Sequence, residues 1–214
     1  MERVKAILQN NEPCRWLFYG DSITHGAKHS NGMRDFSELF RERVTWELQR
    51  SNDLVLNSAF SGFKTTDLLR DFDFRAAAFR PQVVFLMIGT NDSATLNAEL
   101  YDQQLNELLE KFAAIGTLVI LQTPPPVLME LSPKRKNLPD FVQIIRQTAQ
   151  KHQLPLIDHF EYWSNCPAAV YLYADILHPN DKGHIKIAHD IFKALGIFEQ
   201  TNSRVCNFFT PKML

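Results

Sequence analysis

A serine that attacks a carbonyl carbon needs a base to take its proton, a group to orient that base, and donors aimed at the oxygen that becomes negative. The sequence holds a residue of the right type for each role. Ser22 stands in "FYGDSITHG" (18–26), where an apolar run stops at Gly20, Asp21 and Ser22. Near the other end, "ADILHPN" holds Asp175 and His178. At that spacing, in one helix-like turn, both side chains lie on the same side of the backbone. The carboxylate can then hold the imidazole Nδ1–H and leave Nε2 to face Ser22. Pro179 follows and restricts His178 to non-helical backbone, which favours a fixed loop ahead of the last helix. For the oxyanion, "VVFLMIGTND" (83–92) places Asn91 just past an apolar run, and "AFSGFKTT" (59–66) offers the N–H of Gly62 with no side chain in the way. Ser22 adds its own N–H.

Each fragment alone has a local explanation. Gly-Asp-Ser after a strand makes a turn, Gly-x-Asn-Asp makes an Asx turn, and Asp-x-x-His ahead of a helix makes a cap. Their joint occurrence in chain order, each at the end of a strand or in a loop returning to that edge, points to a nucleophilic serine.

The elements that must position these residues are legible as alternating patterns. Continuous apolar runs at 15–20, 54–60, 83–89, 117–123 and 154–160 read as strands covered on both faces, as in a parallel sheet. Between them, apolar residues recur at threes and fours in 34–50, 65–79, 98–116, 141–153 and 180–196, the spacing of amphipathic helices. Gly116 and Gly196 are placed as stops, and Asn180 or Asp181 as a cap. This β-α alternation implies an open parallel sheet with helices on both faces and a crevice beyond the carboxyl ends of its strands. The Pro-rich connection 124–140 fits either a lid or a passive surface loop.

With 214 residues, 45% of them hydrophobic and 22% charged, the chain suits a single globular domain. Its core would run from about 15 to 196, with 197–214 as a tail. A net charge of −1 leaves no basic stripe for nucleic acid. Lys134-Arg135-Lys136, the densest basic run, reads as a solvated loop tip. The three cysteines, Cys14, Cys166 and Cys206, are widely spaced, which argues against a disulfide framework and a thiolate metal site. There is no apolar run of signal-peptide or membrane-span length, so the expectation is a cytoplasmic protein.

Other chemistry-bearing residues have simpler readings. Asp71 and Asp73 form a D-x-D pattern, but on a helical stretch with no strand leading into it. His184 and His189 share the last helix at a spacing that does not suit a two-histidine metal site. Asp21 and Asp92 are expected to tie down their own turns. His25 and His29 follow the nucleophile turn and either line the pocket or sit on an exposed loop. No Walker-type or GxGxxG glycine loop is present, which argues against a nucleotide.

"GDSIT" near the start, Gly62 after the second strand, "GTND" after the third and "DILH" near the end together resemble the four sequence blocks of the SGNH hydrolases, the GDSL-type esterases and lipases. The resemblance spans 15 to about 195. It implies a flavodoxin-like three-layer α/β/α sandwich with a five-stranded parallel sheet. It also implies ester or thioester hydrolysis through an acyl-serine, with no metal or organic cofactor. Ser22, Asp175 and His178 would form the catalytic triad, and Ser22, Gly62 and Asn91 the oxyanion hole. Ile23 replaces the family's common Leu. The serine follows the first strand, and Thr24 stands where a G-x-S-x-G elbow would have its second glycine, which separates this chain from ordinary α/β-hydrolases. The absence of a long apolar lid favours short acyl groups such as acetyl. The partner implied is a small-molecule ester. Thioester hydrolysis, acyl transfer and non-catalytic binding of acylated sugars are the alternatives. Oligomeric state is open.

Overall fold

The five apolar runs form five parallel strands, β1 (Arg15–Gly20), β2 (Leu54–Asn57), β3 (Val83–Met87), β4 (Leu118–Thr123) and β5 (Leu156–Asp158), in the order β2-β1-β3-β4-β5. The computed structural model describes residues 1–26, 28–128, 131–166 and 168–208, so residues 129 and 130 of the long connection and 209–214 of the tail lie outside the described residues. The helices are α1 (Glu2–Gln9), α2 (Ser22–His25), α3 (Phe36–Glu42), α4 (Thr65–Arg70), α5 (Phe72–Arg75), α6 (Ala98–Ala114), α7 (Leu138–Lys151), α8 (His159–Ser164) and α9 (Asp181–Leu195).

Alternation along the strands feeds two cores. Trp16, Phe18 and Phe85 point to one face and pack with Phe36 and Phe40 of α3 and Ile187 and Phe192 of α9. Leu17, Tyr19 and Leu86 point to the other, against Leu68 of α4, Phe112 of α6 and Ile145 of α7. Because helices cover both faces, β3 is buried at every position and shows no polar alternation. Phe18 and Phe85 face each other across the β1–β3 pair with ring centroids 4.6 Å apart, and Phe40 meets Phe18 edge-on at 5.3 Å.

Several elements differ from the periodic reading, each for a local reason. β2 stops at Asn57 and is half exposed, because it is an edge strand with a neighbour on one side only. The expected 34–50 helix leaves α-geometry at Arg43 for a π-helical turn, Arg43–Glu47. There Arg43 turns inward and donates to Ile197 O at 2.9 and 2.7 Å. The 65–79 stretch divides into α4, α5 and a 3-10 turn that ends at Arg80 in left-handed backbone, φ 48°. β5 ends at Asp158, whose carboxylate accepts from Glu161 N at 3.0 Å and starts α8 at once. α1, not anticipated from the pattern, lays Val4 on the first core, and the described part of the tail buries Val205 and Cys206 there. Among the described residues no helix is long and apolar enough to cross a membrane.

Candidate active site

The chain reverses its direction of winding across the sheet between β1 and β3, so the crevice beyond their carboxyl ends is the topological switch point. Ser22 and Asn91 enter it from those two strands. A Cβ on Gly20 would lie 2.1 Å from Met87 O and 2.7 Å from Thr24 Oγ1, so only glycine lets β1 turn into α2 this close to β3. Asp21 then caps α2 by accepting from Ile23 N at 2.9 Å, and Gly26 ends it with φ 68°. As first residue of α2, Ser22 has an N–H with no intrahelical acceptor.

Ser22 Oγ lies 2.9 Å from His178 Nε2, across 156 residues of sequence. His178 Nδ1 faces both oxygens of Asp175, at 2.9 and 3.1 Å. The segment holding these two is not the helix-like turn expected. It is a loop closed by an antiparallel bridge between Tyr173 and Pro179 and by Ala174 N donating to His178 O at 2.8 Å. Pro179 disfavours helical backbone at His178. An Asx turn takes over, with Asp175 Oδ1 accepting from Leu177 N at 2.8 Å and His178 N at 2.7 Å. Partial burial pushes the Asp175 carboxyl up, but the bonds from His178 and Leu177 outweigh it and hold the group below the usual carboxylate range.

His29 lies at this site. Its ring stacks on His178 with centroids 3.6 Å apart and planes 3° from parallel, and its Nε2 is 3.5 Å from Asp175 Oδ2. Burial, then the neighbouring His178, lowers its pKa. One ligand atom from each of His29, Asp175 and His178 falls within 4.8 Å of the others. Two imidazoles stacked in parallel keep their in-plane lone pairs in separate planes, so the pairs do not converge on one ion, and Asp175 already occupies His178 Nδ1. The cluster therefore fits proton transfer better than metal binding.

On the opposite wall, Asn91 Nδ2 donates to Phe63 O at 3.1 Å, and its Oδ1 accepts from Arg135 Nη2 at 3.3 Å. Gly62 sits in a turn closed by Phe63 N donating to Phe60 O at 3.2 Å, with φ +86° and open space where a Cβ would project. Among the described residues, neither the Gly62 nor the Ser22 N–H has a protein acceptor. His25 steadies the Gly62 turn through Ser61 Oγ at 3.0 Å and by stacking on Phe60.

Two expectations about side chains change. Asp92 does not serve its own turn. It is fully buried and reaches across to accept from Thr65 N at 2.8 Å and Thr65 Oγ1 at 2.7 Å, fixing the start of α4. Arg135 is not at a solvated tip. It is half-buried, donating from Nε to Thr90 O at 3.1 Å as well as to Asn91. Nothing in the local pattern of Lys134-Arg135-Lys136 distinguishes Arg135 from its neighbours, since its acceptors lie 45 and 44 residues away. The connection bearing it is also bound to the other wall. Leu128 N donates to Ile176 O at 3.0 Å, the Tyr173 hydroxyl bonds Pro126 O, and Leu177 packs with Val127 and Leu138. The residues set aside earlier lie elsewhere. Asp71 pairs with Arg70 and Arg75, His184 is buried against Phe36, and His189 bonds Val205 O.

The sequence pattern of the GDSL-like Lipase/Acylhydrolase family matches residues 18–185. An acetylxylan esterase of Geobacillus stearothermophilus is 25% identical over 211 residues, covering 88% of this chain and 96% of that protein. An uncharacterised protein of Mycoplasma pneumoniae is 24% identical over 226 residues, which is 92% of this chain and 26% of that protein, so the chain spans about a quarter of that relative's length. Among solved structures, an acetyl-xylooligosaccharide esterase from the same Geobacillus species is similar with a TM-score of 0.73 at 22% identity, covering 89% of this chain and 97% of that one. An alpha/beta hydrolase from the metagenome of Lake Arreo, Spain, is similar with a TM-score of 0.74 at 22% identity, covering 89% and 99%. These two structural likenesses establish the five-stranded α/β fold.

Proposed function

The chain belongs to the GDSL-like lipase/acylhydrolase family, and from that premise we propose that it hydrolyses carboxylic esters through an acyl-serine at Ser22. The observation that carries this reading is the continuous relay Ser22 Oγ–His178 Nε2–Nδ1–Asp175, with both contacts at 2.9 Å. Ser22 Oγ bonds to the acyl carbon while its proton passes to His178 Nε2. The carbonyl oxygen, now negative, accepts from the free N–H groups of Ser22 and Gly62 and from the second Nδ2 hydrogen of Asn91. The ester C–O bond then breaks, and His178 returns the proton to the leaving alcohol. Water attacks the acyl-enzyme with His178 again as base, releasing the acid and restoring Ser22. Throughout, ionised Asp175 holds Nδ1 protonated and stabilises the imidazolium.

Short acyl groups, acetyl first, are the proposed substrates. Supporting this are the absence of a long apolar lid segment and the similarity to a Geobacillus acetylxylan esterase along nearly the whole of that protein. The test is hydrolysis of p-nitrophenyl esters graded from acetate to decanoate, with acetylated sugars alongside, by wild type and Ser22→Ala. The expected result is turnover that is greatest for acetate and falls by several orders of magnitude in Ser22→Ala. Equal rates for the two proteins would refute the assignment, and a preference for decanoate would refute the substrate class.

A further inference from the structure

Resting on the esterase reading above, we propose that Arg135 is a positioning residue for the oxyanion site, locking the Asn91 amide in the one orientation that presents an N–H to the substrate oxygen. An asparagine amide has a donor end and an acceptor end, and rotation by half a turn exchanges them. At Asn91 both ends are committed. Arg135 Nη2, which can only donate, faces Oδ1 at 3.3 Å, and Phe63 O, which can only accept, faces Nδ2 at 3.1 Å. Rotating the amide would set donor against donor and acceptor against acceptor. Of the two Nδ2 hydrogens, one serves Phe63 O, and the other is held in reserve for a ligand.

The guanidinium is itself held. Nη1 donates to Ser132 Oγ at 3.4 Å and Nε to Thr90 O at 3.1 Å, so with Nη2 on Asn91 Oδ1 the side chain grips two consecutive residues, Thr90 and Asn91. It sits at the end of a 3-10 turn, Pro133–Arg135, whose Ser132 is buried and whose continuation enters α7 at the buried Leu138. A positive charge on the far side of the amide also polarises it, drawing electron density toward Oδ1 and making Nδ2–H a stronger donor as negative charge develops on the substrate. The 124–140 connection thereby gains a catalytic purpose. Through Pro126 and Leu128 it braces the loop of Asp175 and His178, and through Arg135 it braces the oxyanion donor.

The experiment is a double-mutant cycle on p-nitrophenyl acetate with Arg135→Met, Arg135→Lys, Asn91→Ala and Arg135→Met/Asn91→Ala. Loss of an oxyanion donor costs about 10²–10³ in kcat, and loss of its positioning should cost part of that. Arg135→Met is expected to lower kcat by about tenfold to a hundredfold with KM little changed. Arg135→Lys, which keeps the charge but not the two-point grip on Thr90 and Asn91, should fall between it and wild type. In the Asn91→Ala background the further loss from Arg135→Met should shrink to about twofold or less. A wild-type kcat in Arg135→Met overturns the proposal, as does the same fold-loss in both backgrounds, which would mark Arg135 as a general brace of the loop. If Arg135→Met does not fold, wild-type kcat in Arg135→Lys overturns it too. An active wild type with unaffected Arg135 variants refutes this proposal alone. A wild type that neither hydrolyses the ester nor is acylated at Ser22 refutes the esterase reading and this proposal with it.

Discussion

Replacing Asp175 by Asn would alter the relay while leaving its loop in place. The amide oxygen can keep the two main-chain bonds that Asp175 Oδ1 accepts, from Leu177 N at 2.8 Å and His178 N at 2.7 Å. The other oxygen, 2.9 Å from His178 Nδ1, becomes an NH2 group. A donor at that place, nearer to Nδ1 than the retained oxygen at 3.1 Å, favours an acceptor at Nδ1. The imidazole proton then shifts toward Nε2, the nitrogen 2.9 Å from Ser22 Oγ, where it blocks removal of the serine proton. The charge is lost as well. At 2.9 Å a carboxylate attracts an imidazolium by about 6 kcal/mol at an effective dielectric of about 20, and by about 1.4 kcal/mol at that of water. The Asp175 side chain is 41% exposed, so solvent screening draws this contribution toward the lower figure. Together with the wrong tautomer, the expected loss in kcat is about 10²–10⁴, with KM near wild type. The assay is steady-state hydrolysis of p-nitrophenyl acetate between pH 5 and 9, with thermal melting as the control for folding. A folded variant that loses less than tenfold in kcat would show that Asp175 does not set the tautomer of His178 and that the relay is misassigned.

Two further outcomes follow from the walls of the site. Burial raises the Asp21 carboxyl to about 7, and one of its oxygens has no partner among the described residues. Between about pH 4 and pH 7 the folded chain therefore keeps a proton that the unfolded chain has released, so this group makes stability fall as pH rises through that window. Asp21→Asn abolishes the titration, and its stability relative to wild type should climb by up to about 1.4 kcal/mol per pH unit across the window and then level off; urea midpoints at pH 4.5, 6 and 7.5 that give a constant difference would refute the burial argument. At the glycines, Gly62→Ala meets open space and should cost only about 1–2 kcal/mol for its left-handed backbone, whereas Gly20→Ala drives a methyl to 2.1 Å from Met87 O and should not yield a folded protein. Comparable melting temperatures for the two variants would contradict that geometry.

Much of this protein is determined locally and can be read without coordinates. Continuous apolar runs specify buried parallel strands because both faces of the sheet are covered, and β3 is buried throughout. Asn180 and Gly196 bound α9 because a side-chain acceptor and a left-handed glycine are what helix ends require. Ser22, Asp175, His178, Gly62 and Asn91 are legible as candidates because each lies beside a strand end or a turn whose chemistry is local, and the structure brings Ser22, Asp175 and His178 within hydrogen-bond reach of one another. What sequence could not supply is whatever depends on a partner far along the chain. The π turn at Arg43 accompanies bonds to a carbonyl 154 residues away. Asp92 looks like a turn residue until Thr65 is found against it, and Arg135 looks solvated until its acceptors at Thr90 and Asn91 appear. The stacking of His29 on His178 likewise has no trace in spacing or composition. Periodicity reports which face of an element is apolar. Which polar groups meet across the sheet edge is decided only when two cores have packed and the loops above them have no other place to lie.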